Sequence, residues 1–196
     1  MKCTILMGSP KREGNTAALL LPFLEELTAL GAEWETVWLY DKDIQPCLGC
    51  KVCQDVMDGF GCVRRDEVEE IYRTVLDSDL VVFATPIYAW YCTAPMKALM
   101  DRLIYAGCKY YGRERGGSTL AGKSFATLVT CGYPPEKGAD VWEAGLKKWC
   151  RHCRAPYLGM FCHQDMGRKD IFMNDQVEQD VRAFARRVAA AVQFEG

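Results

Sequence analysis

Leu80-Val81-Val82-Phe83-Ala84 is apolar at all five positions, and a strand with no polar face has to be covered on both sides. Such strands belong to parallel sheets, whose crossover helices lie on one face or the other. The flanks agree. Upstream, Asp66 and Glu69 have the spacing of a capping box. Val68, Ile71, Tyr72, Val75 and Leu76 then recur at helical spacing. Downstream, Thr93 or Ala94 opens a helix with Pro95 in its first turn, where proline is tolerated. Its inner face is Met96, Leu99, Met100 and Leu103.

The alternation extends to both ends. Residues 3–7 and 33–40 read as strands around a helix over 16–30, which Gly31 ends and in which Pro22 predicts a kink. Further strands are expected at 124–130 and 157–162, and further helices at 141–153 and from Asp175. The last helix buries Val177, Val181, Phe184, Val188 and Val192. Five strands alternating with five helices predict an α/β protein, a doubly wound parallel sheet with helices on both faces. At 196 residues, without repeat, linker or low-complexity tract, one domain over 1–196 is expected, with a cysteine-rich insertion at about 46–63.

Composition narrows the partners. A chain 49% hydrophobic and 26% charged, with net charge −2, is ordinary globular and has no basic field for nucleic acid or anionic lipid. No apolar run approaches the roughly 20 residues of a membrane helix. The first apolar stretch is too short for a signal-peptide core, so a cytoplasmic protein is expected. The anomaly is eleven cysteines. An odd count without an export signal argues against a disulfide framework and for metal, cluster or redox chemistry, although a free Cys also packs as a small hydrophobe.

Ligands of open α/β sheets sit beyond the carboxyl ends of the strands. The first such loop, Gly8-Ser9-Pro10-Lys11-Arg12-Glu13-Gly14-Asn15-Thr16, is small, hydroxyl-rich and twice cationic, and runs into a helix N-terminus. Free N–H groups and the helix dipole there favour a phosphate; an ordinary N-capped turn is the alternative. Neither G-x-x-x-x-G-K-[ST] nor G-x-G-x-x-G occurs, so an ATPase or dinucleotide fold is not indicated. Tyr88, Trp90 and Tyr91 follow the central strand. They suit a flat apolar ring, or else simple packing or contacts between copies of the chain.

Cys47, Cys50, Cys53 and Cys62 form C-x2-C-x2-C-x8-C, with Pro46, Gly49, Gly59 and Gly61 supplying turns. Three thiols at two-residue gaps with a fourth from a short loop can wrap an iron–sulfur cubane. Zinc, metal-free redox thiols or a plain turn are the other readings, although zinc more usually takes two separated C-x-x-C knuckles. Cys3, Cys92, Cys108, Cys131 and Cys162 read as core, and Cys150 and Cys153 beside Trp149 as a buried helix face. Packing is preferred over a second metal group built from Cys150, His152, Cys153 and His163. Two histidines give no support to a histidine-dependent hydrolase.

Gly8-Ser9-Pro10-Lys11 with Gly14-Asn15-Thr16, Thr85-Pro86-Ile87-Tyr88, and Pro95-Met96-Lys97-Ala98-Leu99-Met100-Asp101-Arg102 together resemble the NAD(P)H-dependent FMN reductase family. The resemblance implies a flavodoxin-like sheet of order 2-1-3-4-5. It puts Ser9, Lys11, Arg12, Asn15 and Thr16 around the FMN phosphate. Pro86, Ile87, Tyr88, Ala89 and Trp90 would line the isoalloxazine, with Cys131, Gly132 and Tyr133 as a third flavin loop. The cysteine motif is similar to that of the iron–sulfur flavoproteins, where it holds a 4Fe-4S cluster exchanging electrons with FMN. Its eight-residue last gap is longer than that branch leads one to expect.

The function so implied is an FMN-dependent oxidoreductase. Electrons pass from NAD(P)H to a quinone, flavin or similar small acceptor, or through the cluster to a protein. Flavin accepts hydride itself and needs no protein nucleophile, so no catalytic side chain is nominated. The alternatives are an electron carrier with little direct NAD(P)H turnover and a cysteine-based redox sensor. No fingerprint distinguishes NADH from NADPH. A homodimer or dimer of dimers is also implied, with Tyr105, Tyr110 and Tyr111 as contacts between copies or as a flavin lid.

Overall fold

The computed structural model describes residues 1–167 and 171–194. Its five parallel strands are β1 (Lys2–Met7), β2 (Glu33–Trp38), β3 (Leu80–Pro86), β4 (Ser124–Cys131) and β5 (Tyr157–Gln164), paired in the order β2-β1-β3-β4-β5. The helices are α1 (Asn15–Ala29), α2 (Val68–Asp77), α3 (Ala94–Gly107), α4 (Pro135–Gly138), α5 (Asp140–Cys153) and α6 (Asp175–Phe194).

Successive strand side chains point to opposite faces, and the central strands divide accordingly. Val81, Phe83, Phe125 and Val129 join the core formed with α2, α3 and α5. Leu80, Val82, Ala84, Ala126 and Leu128 join the one formed with α1 and α6. Phe83 stacks on Phe125 with centroids 5.7 Å apart, and takes the edges of Trp142 and Trp149 at 6.2 and 5.8 Å. Each such ring, removed from water, contributes about 1.5–3 kcal/mol. That is why β3 needs no polar residue before Thr85.

The first strand connection runs outward from β1 to β2, and the next returns past β1 to β3, giving the expected order 2-1-3-4-5. Other expectations change. β2 stops at Trp38 because Leu39–Asp41 winds into a 3-10 turn that buries Leu39. β3 and β5 each run two residues past their expected ends, carried by pairing of Pro86 with Thr130 and of Gln164 with Cys131. Pro22 sits inside an uninterrupted α1. Asp66 and Glu69 do not form a capping box. Asp66 accepts the Val68 N–H at 3.3 Å but turns its other oxygen to Arg102 and to the Gln45 N–H, while Glu69 pairs with Arg73 one turn on. Val192 of α6 is half-buried rather than buried.

The reversal of strand order between β1 and β3 opens a crevice at their carboxyl ends. The loops over 8–14, 87–93, 132–134 and the start of the β5–α6 connection gather there. A second feature is residues 42–67, between β2 and α2, whose one regular element is the 3-10 turn Val52–Asp55. Connections of that length without their own secondary structure are uncommon and usually functional.

Candidate functional site

At the end of β1 the chain must turn while touching β3. The Gly8 N–H donates to the Ala84 carbonyl at 2.7 Å, and Thr93 Oγ1 donates to the Gly8 carbonyl at 2.8 Å. A Cβ on Gly8 would lie 2.9 Å from that hydroxyl and 3.0 Å from Met96 Cε, so this approach requires glycine. Ser9, buried, accepts the Lys11 N–H on Oγ at 3.2 Å, which curls the loop. The N-cap of α1 is Gly14, and no side chain caps the helix. Its first-turn N–H groups therefore have neither intrahelical acceptors nor a cap. They open on a cleft of about 530 Å³ lined by Ser9, Lys11, Asn15, Thr16, Pro86 and Tyr88, and also by Glu13, Thr130, Asp165 and Phe172. Thr16 Oγ1 meets Thr130 Oγ1 at 3.0 Å across its floor. Arg12 is not part of this wall: its guanidinium pairs with Asp41 and lies 4.3 Å over the Trp38 ring.

Beside this polar cleft is an apolar one of about 300 Å³, lined by Ile87, Ala89, Trp90, Cys131, Gly132 and Tyr133. Tyr88 and Tyr91 exchange N–H···O bonds at 2.9 and 3.1 Å, closing a two-residue turn. The turn residues Ala89 and Trp90 have φ of 49° and 62°. Asn-Gly is the sequence such a turn favours. An L-residue in this region carries about 1–2 kcal/mol of strain, and strain of this kind clusters at ligand sites. The turn aims Trp90 at Tyr133, with rings 6.0 Å apart and 10° from parallel, both about half exposed. Ala89→Gly is expected to raise stability by about 0.5–1 kcal/mol, strain relief outweighing the greater freedom of an unfolded glycine. Thermal melting should shift up by roughly 2–3 °C. A downward shift would show that the turn is not strained.

The cysteine segment is gripped from α3 and the stretch after it. Gln54, fully buried, donates Nε2 to the carbonyls of Tyr105 and Cys108, and accepts the Tyr111 N–H at 2.8 Å. Lys109 donates Nζ to the carbonyls of Cys53 and Gly59 at 2.8 and 2.9 Å. Arg102 donates to Asp66, to the Gln45 carbonyl at 3.2 Å and to Cys62 Sγ at 3.3 Å. A Cβ on Gly112 would lie 2.4 Å from the Gln54 carbonyl oxygen, so the returning strand of chain also needs glycine. Burial pushes the Cys53 thiol up, Lys109 opposes this, and the thiols of Cys62, Cys47 and Cys50 push it further up. All three lie within electrostatic reach of Cys53. They are not gathered: among the described residues, no three His, Cys, Asp or Glu side chains stand at metal-ligand spacing. The donor chemistry nevertheless fits an anionic thiolate-held group. Four free thiols share one loop with buried cations, and the Nε–H groups of Arg64 and Arg102 are buried without an acceptor.

A family model described as NADPH-dependent FMN reductase matches residues 1–163. The chain belongs to that family. An iron-sulfur flavoprotein of Archaeoglobus fulgidus is 35% identical over 151 residues, 76% of this chain and 64% of the relative. Another, from Methanocaldococcus jannaschii, is 36% identical over 121 residues, 62% of this chain and 61% of the relative. This chain thus spans less than two thirds of the length of these two relatives. In fold it is similar to an NAD(P)H:quinone oxidoreductase from Methanothermobacter marburgensis, with TM-score 0.68, 22% identity, and coverage of 95% of this chain and 96% of that one.

In this FMN reductase family member the first and third loops line neighbouring clefts that share the segment 86–90, while the cysteine motif is held by α3 and the stretch after it. Sequence reasoning missed Thr130, Asp165 and Phe172; the rule that ligands sit at strand carboxyl ends could have pointed to the ends of β4 and β5. It also missed Arg102 and Lys109 as partners of the cysteines. Tyr105, Tyr110 and Tyr111 serve the cysteine loop: Tyr105 and Tyr111 bond Gln54, and the Tyr110 and Tyr111 rings pack on His152. His163 instead contacts Phe172, so the two histidines share no partner there. Burial pushes Cys92 and Cys150 up to about 12, the state of inert core thiols. Cys131 is also held up by burial and donates to the Tyr133 carbonyl at 3.0 Å. Cys108 goes the other way, below the usual thiol value, chiefly through its hydrogen-bonded partner Cys153 at 3.7 Å.

Proposed function

We propose that this chain binds FMN in the crevice and carries electrons from NADPH or NADH to a small acceptor of the quinone or flavin class. A 4Fe-4S cluster on Cys47, Cys50, Cys53 and Cys62 is the second carrier in this reading. The observation that carries it is two neighbouring clefts that share the segment 86–90, with uncapped helix N–H groups lining one and parallel aromatics lining the other. That is the polarity of a flat ring with a phosphate tail.

Ser9, Asn15, Thr16 and the first-turn N–H groups of α1 bind the phosphate, with Lys11 supplying positive charge. Tyr88, Trp90 and Tyr133 orient the ring and exclude water. FMN, when bound, supplies a hydride acceptor able to release electrons singly or in pairs. The cysteine loop contributes thiolates, with Arg102 on Cys62 and Lys109 behind Cys53. The family description supports the nicotinamide, and the iron-sulfur flavoprotein relatives support the cluster. Those relatives also favour a second reading, an electron carrier with little direct nicotinamide turnover. Free thiols throughout, with no helix among the described residues long and apolar enough to cross a membrane, support a cytoplasmic site of action. A homodimer or dimer of dimers is part of the same reading.

The test is anaerobic purification, then a visible spectrum, iron and sulfide analysis, and NADPH and NADH oxidation. Flavin bands with turnover support the leading function, and flavin with iron but slow turnover supports the carrier. Colourless protein that refuses added FMN overturns both. Asn15→Leu removes a polar side chain from the cleft and leaves the helix N–H groups in place. FMN affinity is expected to fall about tenfold, the value of one hydrogen bond to a charged group. Iron content should be unchanged; an unaltered FMN affinity would take Asn15 out of the phosphate site.

A further inference from the structure

Lys109 is only 2% exposed, and its ammonium donates to two main-chain carbonyls, those of Cys53 and Gly59. Arg102, the other buried cation beside the cysteines, is neutralised by Asp66, whose side chain is equally buried. Lys109 has no such partner. It forms no ion pair with a carboxylate among the described residues, and the ionisable neighbours that act on it are the thiols of Cys53 and Cys108. A buried charge of this kind is retained where something anionic offsets it. The four-cysteine loop folds directly over it, tied to it through Cys53 and Gly59 on either side of the 57–58 turn.

We infer that Lys109 is the built-in counter-charge of the cysteine loop, positioned to hold an anionic thiolate-bound iron–sulfur group and to raise its reduction potential. The inference rests on the cluster reading above. Reduction adds one negative charge to such a group, and a fixed cation behind Cys53 favours the more negative state; net charge and hydrogen bonding are what set these potentials. Lys109 is a positioning residue. It meets the ligand loop at main-chain carbonyls and transfers nothing.

The experiment compares wild type, Lys109→Gln, Lys109→Met, Lys109→Arg and Cys108→Ser, each reconstituted anaerobically with iron and sulfide. Circular dichroism melting and FMN content establish folding. Lys109→Gln keeps N–H donors without charge, and Lys109→Met is a second neutral variant should the first not fold. The readouts are iron and sulfide per chain and the midpoint potential from an EPR-monitored titration. Both neutral variants are expected to shift the potential downward, or to lose iron, while Lys109→Arg stays near wild type. A neutral variant with wild-type potential and iron would reduce Lys109 to a structural pin and overturn the inference. An equal shift in Lys109→Arg would assign the effect to loop geometry and overturn it as well. A Cys108→Ser shift as large as that of Lys109→Gln would make Cys108 the partner instead. Wild type that takes up neither iron nor sulfide sinks the cluster reading itself, before any variant is compared.

Discussion

Replacing Arg102 by Met is expected to lower stability by about 3–5 kcal/mol, the effect of stranding one partner of a buried ion pair. The side chains of Arg102 and Asp66 are each 1% exposed, so neither charge has recourse to water. The guanidinium also holds the Gln45 carbonyl and Cys62 Sγ, and lies over the Phe60 ring, so it pins both ends of the cysteine segment to α3. Thermal melting should fall by roughly 10 °C. The double variant Arg102→Met with Asp66→Leu removes both charges and should recover most of the loss, because a buried pair replaced by apolar side chains is often neutral. A double variant as unstable as the single one would mean that the lost loop contacts, and not the stranded carboxylate, cause the damage.

The same pair gives a pH signature. Burial works to raise the Asp66 carboxyl, but the bonds from Arg102 and the Gln45 N–H outweigh it and leave it below the usual range. A depressed carboxyl contributes stability above its unfolded value, near pH 4, and loses it as pH falls through the folded value. In Arg102→Met only burial and the remaining hydrogen bonds act on the stranded carboxyl, and the folded value is expected to rise above the unfolded one. The sign then reverses: the variant should be relatively more stable at pH 4 than at pH 7. Urea unfolding at the two pH values reads this directly.

Cys50→Ser is expected to abolish iron binding while FMN stays bound. Cys50 is the exposed member of the four and makes no side-chain hydrogen bond within the loop, unlike Cys53, whose thiol donates to the Tyr105 carbonyl at 3.4 Å. The substitution therefore tests ligation rather than packing, and metal-free stability should change by no more than about 0.5 kcal/mol. Iron and acid-labile sulfide should fall from about four per chain towards zero, with loss of the broad blue-edge absorbance beneath the flavin bands. Zinc without sulfide in the wild type would assign the loop to a structural metal. Loss of FMN together with iron would show that the crevice and the cysteine loop are one cooperative site.

The alternation of strand and helix was legible in the chain because it is local. An all-apolar run at 80–84 admits one environment, and residues at helical spacing admit one face. The first loop was legible for a similar reason, as a small-residue turn running into a helix start, but that no side chain caps that helix is seen only in the structure. The cysteine spacing suggested a ligand set, but nothing local said what would surround it. Asp66 read as a helix cap because its neighbours allow that role; only the packing of α3 under the loop shows Arg102 claiming it. Arg12 read as a phosphate ligand from its place in the loop, and the 3-10 turn after β2 supplies Asp41 to draw it away. Lys109 lies 56 residues from Cys53. Periodicity and spacing report backbone geometry and which face is dry. Which buried cation meets which thiol depends on how distant elements close over one another, and that is decided only when the sheet and its helices are in place.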